Sequence, residues 1–335
     1  MAVYTSDVPI TKADITGPGE GAWWCLGCGD FGVNSAFQDV VMSLVNEHSV
    51  PLENIFALSG IGCSSKEPEM LKVNAYQGQH GRSLPVAIGV AIANPGLKVI
   101  DFGGDGDTYA IGMEHFMHSI IRNVNVTLII MNNQVYGLTK GQAAPTAHTG
   151  LRTPSTPNGK QGRSVNPLRL AIAAGAAFVG RGVSWQRRDL GDLINKAINT
   201  NGFSLVDVFS PCVTYHREPG ARGSGPIYDW YRKNYVVDIK DAWQSMRDQV
   251  FTDDERASLP SDYDPRSPEA ALHGLHLISE ASKIGREVTG LLLIDETQPT
   301  MAQNVGVSAE AAPALLDIGV DRNLDAYKTL LAEMR

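Results

Sequence analysis

Residues 104–133 read GDGDTYAIGMEHFMHSIIRNVNVTLIIMNN, and they decide the fold. Upstream, LKVIDF (97–102) is an apolar strand pattern that should end near Gly103. Gly104-Asp105-Gly106-Asp107 then forms a tight loop, TYAIGMEHFMHSIIRN (108–123) has helical spacing, and VTLIIM (126–131) is a second buried strand that delivers Asn132 and Asn133. Two strands joined through a helix are parallel neighbours, so Asp105 and Asn133, 28 residues apart, should meet at the carboxyl ends of adjacent strands. That edge is where open α/β sheets bind ligands.

The residue types there suit a diphosphate held through a divalent ion. Mg²⁺ takes hard oxygen donors in an octahedron, commonly one or two carboxylates, with phosphate oxygens and water completing the shell. Asp105 and Asn133 are such donors, and the backbone carbonyl of Val135 can add a third. Gly104 and Gly106 let the backbone approach phosphates, and the following helix offers its N-terminal N–H groups. Gly-Asp-Gly, 25 residues and Asn-Asn, placed after a hydrophobic strand, match the thiamine diphosphate fingerprint.

Composition narrows the class. The 335 residues are 43% hydrophobic and 19% charged, enough for one large α/β domain with an extension or for two modest domains. A net charge of −8 argues against general nucleic-acid binding, which leaves a basic footprint. The first residues lack a basic region followed by an apolar one, and no apolar run approaches 18 residues; we expect no signal peptide, no membrane span and a cytoplasmic location. Four cysteines, Cys25, Cys28, Cys63 and Cys212, match the number that one iron–sulfur cluster or one zinc ion needs.

In chain order, residues 1–20 read as an extended arm. Trp24-Cys25-Leu26-Gly27-Cys28-Gly29-Asp30 then opens a helix. IFALS (55–59) is a strand ending in Gly60-Ile61-Gly62-Cys63-Ser64-Ser65-Lys66, which puts the third cysteine on the same sheet edge as the diphosphate loop. His80-Gly81-Arg82 precedes a helix of small apolar residues; His80 is equally readable as a cofactor contact or as a structural hydrogen-bonder. Gln134 to Gln142 lead into a stretch rich in Thr, Pro and Gly that lasts to Pro167 without a regular pattern, which suggests a cover over the site. The α/β rhythm returns with PLRLAIAAGA, AFVGRGV, DLGDLINKAINT and FSLVDVFSPC, and Cys212 follows the last strand. Spacing this wide suits an iron–sulfur cluster better than a zinc ribbon, which keeps two close cysteine pairs. Beyond residue 215, VVDIKDAWQSMRDQ reads as helix, FTDDERASLPSDYDPRSP as a charged linker, and ALHGLHLISEASKIG with GLLLIDE as a further small element; interface or support is the reading for this tail.

Taken together, Trp24 to Gly29, Gly60 to Ser65, His80 to Arg82, Gly104 to Asn133 and Leu138-Thr139-Lys140-Gly141-Gln142 resemble the beta subunit of 2-oxoacid:ferredoxin oxidoreductases, over roughly residues 20–235. The resemblance implies an α/β thiamine diphosphate-binding fold with a central, mostly parallel sheet flanked by helices: an arm (1–20), the cofactor domain (21–215) and a C-terminal extension (216–335). It implies thiamine diphosphate with Mg²⁺ on Asp105, Asn133 and the Val135 carbonyl, and a [4Fe-4S] cluster on Cys25, Cys28, Cys63 and Cys212. Gly29, Cys63, Ser64, His80, Gly104, Gly106, Asp107, Gly137 and Leu138 would also line the cofactor, while Lys66, Leu138 and Lys140 would face the 2-oxo acid.

The implied activity is coenzyme A-dependent oxidative decarboxylation of a 2-oxo acid, with electrons leaving through the cluster to ferredoxin. Lys140 could pair with a distal carboxylate, which favours 2-oxoglutarate over pyruvate or a broad range. Thiamine enzymes use a glutamate from a second domain of the pair, and this chain has room for one; an alpha subunit would supply it, giving an alpha-beta heterodimer or a dimer of such pairs. No nucleic acid or membrane partner is expected. Two rivals stay open: a non-redox thiamine decarboxylase subunit, which has no need of four cysteines, and a non-catalytic electron-transfer or zinc-binding subunit on the same fold.

Overall fold

The computed structural model describes residues 9–17, 24–216, 224–234, 236–283 and 286–308. Most of the expected arm and Trp23 lie outside them. Its described part is not extended: Lys12–Ile15 make one helical turn, Ile15 is fully buried, and Lys12 pairs with Asp39 at 2.8 Å.

Eight strands form one sheet. In chain order the strands are β1 (Ile55–Ser59), β2 (Asn74–Gln77), β3 (Lys98–Gly104), β4 (Thr127–Asn132), the two-residue β5 (Val135–Tyr136) and β6 (Gln142–Ala143), β7 (Phe178–Val183), β8 (Ser204–Phe209), β9 (Val236–Asp238) and β10 (Glu287–Ile294). The sheet order is β2-β1-β3-β4-β8-β7-β10-β9, with β5 and β6 forming a separate hairpin. From β2 to β7 every pairing is parallel; β10 runs antiparallel to β7. Parallel strands covered on both faces should be apolar throughout, and all six residues of β4 are buried, as are those of β7 and β8.

One face is covered by helices Asp30–Asn46 and Arg187–Asn199. Val33, Phe37, Val40, Val41 and Leu44 recur at helical spacing on the first, Leu190, Leu193, Ile194, Ala197 and Ile198 on the second, and both stripes are buried against β1, β3, β4 and β8. The opposite face carries helices Ser83–Ala93, Met113–Ile121, Pro167–Ala173, Ile239–Val250 and Pro268–Lys283.

Four expectations change. The segment after the diphosphate loop is two pieces: a π-helical turn over Asp107–Ile111, then Gly112, then the helix Met113–Ile121. A wider turn at this place reorients the chain beside a site, a common setting for π-bulges. VVDIKDAWQSMRDQ begins as strand β9 before its helix, because Val236 and Val237 extend along β10 and Asp238 caps the helix by accepting from the Lys240 N–H at 2.9 Å. The charged linker holds a helical turn, Asp253–Ser258, closed by a Thr252/Glu255 capping box. Finally, GLLLIDE joins the main sheet as part of β10, and Trp243, Leu277, Ile278, Val288 and Leu292 from the expected extension are buried in the same core as Leu128, Ile130 and Leu205. Among the described residues, no helix is long and apolar enough to cross a membrane.

Candidate functional site

Because β1, β3, β4, β7 and β8 run in parallel, their carboxyl ends share one edge, and the loops leaving β1, β3, β4 and β8 carry Cys63, Asp105, Asn133 and Cys212. Asp105 follows β3 and is buried, as are Asn132 at the end of β4 and Asn133 just after it. The Thr146 hydroxyl, from the loop after β6, contacts Asp105 Oδ2 and lies 2.9 Å from Asn132 Oδ1. A hydroxyl has one proton to donate. Both contacts are hydrogen bonds together only when Asp105 carries a proton and donates it to Thr146, which then donates to Asn132. Burial pushes the Asp105 carboxyl up to about 7, with the Thr146 hydrogen bond opposing and the charge of Asp207 adding to the rise. A cation beside Asp105 would take the place of that proton, since opposite charge stabilises the ionised form.

Asn133 Oδ1 accepts the Val135 N–H at 2.9 Å, a turn that holds the amide in place and leaves the oxygen's second lone pair for a metal. These are the hard oxygen donors that Mg²⁺ prefers, and the residues fit the ion. At Gly106 the close neighbour is a side chain: a Cβ there would fall 2.2 Å from the Tyr136 ring, beneath the β5–β6 hairpin. Ser64 is buried, and its Oγ stands 2.9 Å from where a Cβ on Gly104 would be, so the β1 and β3 loops touch.

His80 makes a structural contact. Its Nδ1 contacts Asp107 Oδ1, which also accepts the Gly81 N–H at 2.7 Å and the Ile61 N–H at 3.1 Å. Asp107 therefore ties the loops after β1 and β2 to the diphosphate loop.

The four cysteines are free thiols in the same region: Cys25 exposed, Cys28 and Cys63 half-buried, Cys212 buried. Gly29 lies against Ser210, where a Cβ would come within 2.7 Å of the Ser210 backbone, and its N–H donates to the Pro211 carbonyl at 3.2 Å. The Cys25–Cys28 loop is thereby held against the Cys212 loop. Trp24 Nε1 donates to the Cys63 carbonyl at 2.7 Å, tying in the third. A Cβ placed on Gly137 would lie 3.3 Å from Cys63 Sγ, 3.8 Å from Cys212 Sγ and 3.9 Å from Asn133 Nδ2. Two sulfurs and the candidate metal amide thus converge on one point.

Burial raises the Cys63 thiol to about 11, the Asp30 charge adding and Lys66 opposing, and burial also raises Cys28 and Cys212. The charges of Cys63 and Cys212 act on Cys28, and those of Cys212 and Cys25 act on Cys63. Among the described residues no three His, Cys, Asp or Glu side chains gather closely enough to hold a single metal ion. The Tyr215 N–H donates to Cys212 Sγ at 3.3 Å, the kind of bond that tunes a cluster. The donor set fits an iron–sulfur cluster.

Of the residues expected at the substrate, Lys140 is exposed with φ 76° and Leu138 is 51% exposed, both on the turn between β5 and β6. Lys66 acts electrostatically on Asp30 and Cys63, on the thiol side. The 143–167 stretch, expected as an irregular cover, is a pinned loop: Ala144, Thr146, Ala147, Leu151 and Thr153 are buried, and Ser164 Oγ donates to the Ala147 carbonyl at 2.7 Å.

Sequence reasoning missed Thr146, which sits in a run of Thr and Pro with no motif. It also missed the buried Asp207, which accepts from Tyr109 at 3.0 Å, Asn132 at 3.2 Å and Arg181 at 2.8 Å. Asp207 and Arg181 both stand in apolar strand patterns, where a single charged residue is the available signal. Behind Thr146 lies a cavity of about 520 Å³ whose lining includes Arg163, Arg169, Arg181 and Lys283.

Comparison with known proteins agrees with this architecture. Residues 60–208 match the family described as thiamine pyrophosphate enzyme, C-terminal TPP binding domain. The chain is 36% identical over 296 residues to the 2-oxoacid:ferredoxin oxidoreductase subunit beta of Saccharolobus solfataricus, covering 88% of each chain. It is 38% identical to the 2-oxoglutarate oxidoreductase subunit KorB of Mycobacterium tuberculosis (strain ATCC 25618 / H37Rv), over 64% of this chain and 56% of the relative. Among solved structures, the 2-oxoglutarate:ferredoxin oxidoreductase from Magnetococcus marinus, with 2-oxoglutarate, coenzyme A and succinyl-CoA bound, superposes with a TM-score of 0.74 at 30% identity over 91% of both chains. With a thiamine diphosphate-binding domain at its centre, the chain belongs to the 2-oxoacid:ferredoxin oxidoreductase beta subunits.

Proposed function

We propose that this beta subunit, assembled with an alpha subunit, catalyses coenzyme A-dependent oxidative decarboxylation of a 2-oxo acid, 2-oxoglutarate in the first place, and passes the electrons through its own [4Fe-4S] cluster to ferredoxin. The observation that carries the reading is the convergence at Gly137, where Cys63 and Cys212 meet the amide of Asn133. A cluster there has a short path to a cofactor anchored at Asp105 and Asn133. The KorB relatives and the 2-oxoglutarate-bound structural neighbour support the choice of substrate.

Asp105, the Asn133 amide oxygen and the Val135 carbonyl would hold Mg²⁺ and, through it, the diphosphate. Thiamine diphosphate supplies the carbanion chemistry that releases CO₂. The chain's part is positioning and electrostatics: buried Asp105 gives a charge the ion needs, and Gly106 under Tyr136 fixes the diphosphate loop. Lys140 and Lys66 are the cations we assign to the substrate's carboxylates, with Leu138 against its carbon chain. Cys25, Cys28, Cys63 and Cys212 would ligate the cluster, and the Tyr215 N–H stabilises the Cys212 thiolate. A soluble, cytoplasmic assembly, with the alpha subunit completing the cofactor site, is part of the proposal.

The first experiment is iron, acid-labile sulfide and zinc analysis of anaerobically purified protein, with the visible spectrum. About four irons and four sulfides per chain and a broad absorbance that bleaches on reduction are expected. One zinc without sulfide would remove the electron-transfer step and leave a thiamine-binding subunit with structural cysteines. Screening 2-oxo acids with coenzyme A and the co-expressed alpha subunit then ranks substrates; decarboxylation that survives serine at all four cysteines would favour the non-redox decarboxylase.

A further inference from the structure

We infer that Thr146 is a positioning residue for the cation site, its hydroxyl fixing the rotamer of Asp105 from behind. The inference rests on Asp105 being a magnesium ligand, as proposed above. Thr146 Oγ1 reaches both Asp105 Oδ2 and Asn132 Oδ1 and is itself buried.

What makes this contact a built device is the chain of partners behind it. Asn132 Nδ2 lies 3.2 and 3.4 Å from the two carboxylate oxygens of Asp207, so the Asn132 oxygen has to face Thr146. Asp207 is held from two further sides, by the Tyr109 hydroxyl and by Arg181 Nε, and Arg181 reaches on to Glu287 Oε2 at 2.6 Å. Five side chains from β4, β7, β8, β10 and the π-turn therefore fix where Asn132, and with it Thr146 Oγ1, stands; with Asp105 ionised the hydroxyl's one proton turns to Asp105 Oδ2. Each is buried except Glu287. Groups that hold a metal ligand from behind typically change metal affinity by about 10–100-fold when removed.

A rival account is that Thr146 only pins the 143–167 loop. The two separate by substitution in the full chain co-purified with its alpha subunit, with thiamine diphosphate present and Mn²⁺ as the probe, since Mn²⁺ accepts the same oxygen donors and its free form is counted by electron paramagnetic resonance. Thr146→Val keeps the shape and removes the hydroxyl; Thr146→Ser keeps the hydroxyl. Ser164→Ala loosens the same loop, by removing the bond to the Ala147 carbonyl, without touching Asp105. We expect T146V to weaken Mn²⁺ binding about 10–100-fold, T146S to bind close to wild type, and S164A to bind as wild type.

Wild-type binding by T146V overturns the inference, and so does T146S binding as weakly as T146V. S164A weakening Mn²⁺ as much as T146V assigns the effect to loop anchoring and also overturns it; this comparison with T146S decides the matter if T146V does not assemble. Binding lost in Asp105→Asn but kept in T146V sinks this inference alone. A wild-type assembly that takes up no Mn²⁺ with thiamine diphosphate sinks both this inference and the proposed metal site.

Discussion

A buried carboxyl that does no binding shows what single residues cost this fold. Asp101, in the middle of β3, accepts from Ser83 Oγ at 2.9 Å, while its Oδ1 is buried without a hydrogen-bond partner. Burial pushes its carboxyl up to about 8, against the Ser83 bond and with the charge of Asp107 adding. The folded chain thus keeps a proton that the unfolded chain releases near pH 4. Its contribution is fully present below that pH and is lost as pH rises through the folded value, with a slope of up to ~1.4 kcal/mol per pH unit. Asp101→Asn is expected to flatten the fall in melting temperature between pH 5 and pH 8, read by differential scanning fluorimetry; parallel curves for the two proteins would show that Asp101 does not titrate in this way. At this scale the sequence was readable where chemistry has a motif. Asp105, Asn133 and the cysteines stand in spaced patterns, while Thr146 and Asp207 take their meaning from neighbours far away in the chain.

Among elements, a buried ion-pair network ties β7, β8 and β10 together. Arg181 on β7 is 3% exposed and bonds Asp207 on β8 and Glu287 on β10, with its guanidinium 4.7 Å from the centre of the Phe209 ring. Removing one partner of a buried pair leaves the other charge stranded, a loss of about 3–5 kcal/mol. Arg181→Met should lower stability by that amount in urea unfolding; a loss under about 1 kcal/mol would mean that water reaches Asp207 and replaces the pair. The strands β1, β3, β4, β7 and β8 were legible because parallel strands covered on both faces are apolar runs. Strand β9 was not, since three residues before a helix carry no period. The break at Gly112 was hidden for a related reason: one wide π-turn hardly disturbs a helical pattern over 16 residues.

For the whole molecule, the last third completes the core. Trp243, Leu277, Ile278, Val288 and Leu292 are fully buried beside residues of β4 and β8. A chain ended at residue 215 should therefore aggregate or fail to give a cooperative melt, whereas one ended at 308 retains every buried contact described above. A soluble, cooperatively melting 1–215 fragment would show instead that residues 21–215 form an independent unit. The sequence offered no hint of this dependence, because a short antiparallel strand at the end of a parallel sheet resembles any other apolar run of eight residues.

The place of β10 also sets a timetable for synthesis. Its partner β7 leaves the ribosome about a hundred residues earlier, and at about 5–20 residues per second the outer edge of β7 stands unpaired for roughly 5–20 s. An open strand edge is a template for pairing with another chain. The growing polypeptide is thus most vulnerable to misassembly in that interval, after its diphosphate loop and first three cysteines have emerged and before the strand that pairs with the outer edge of β7 exists.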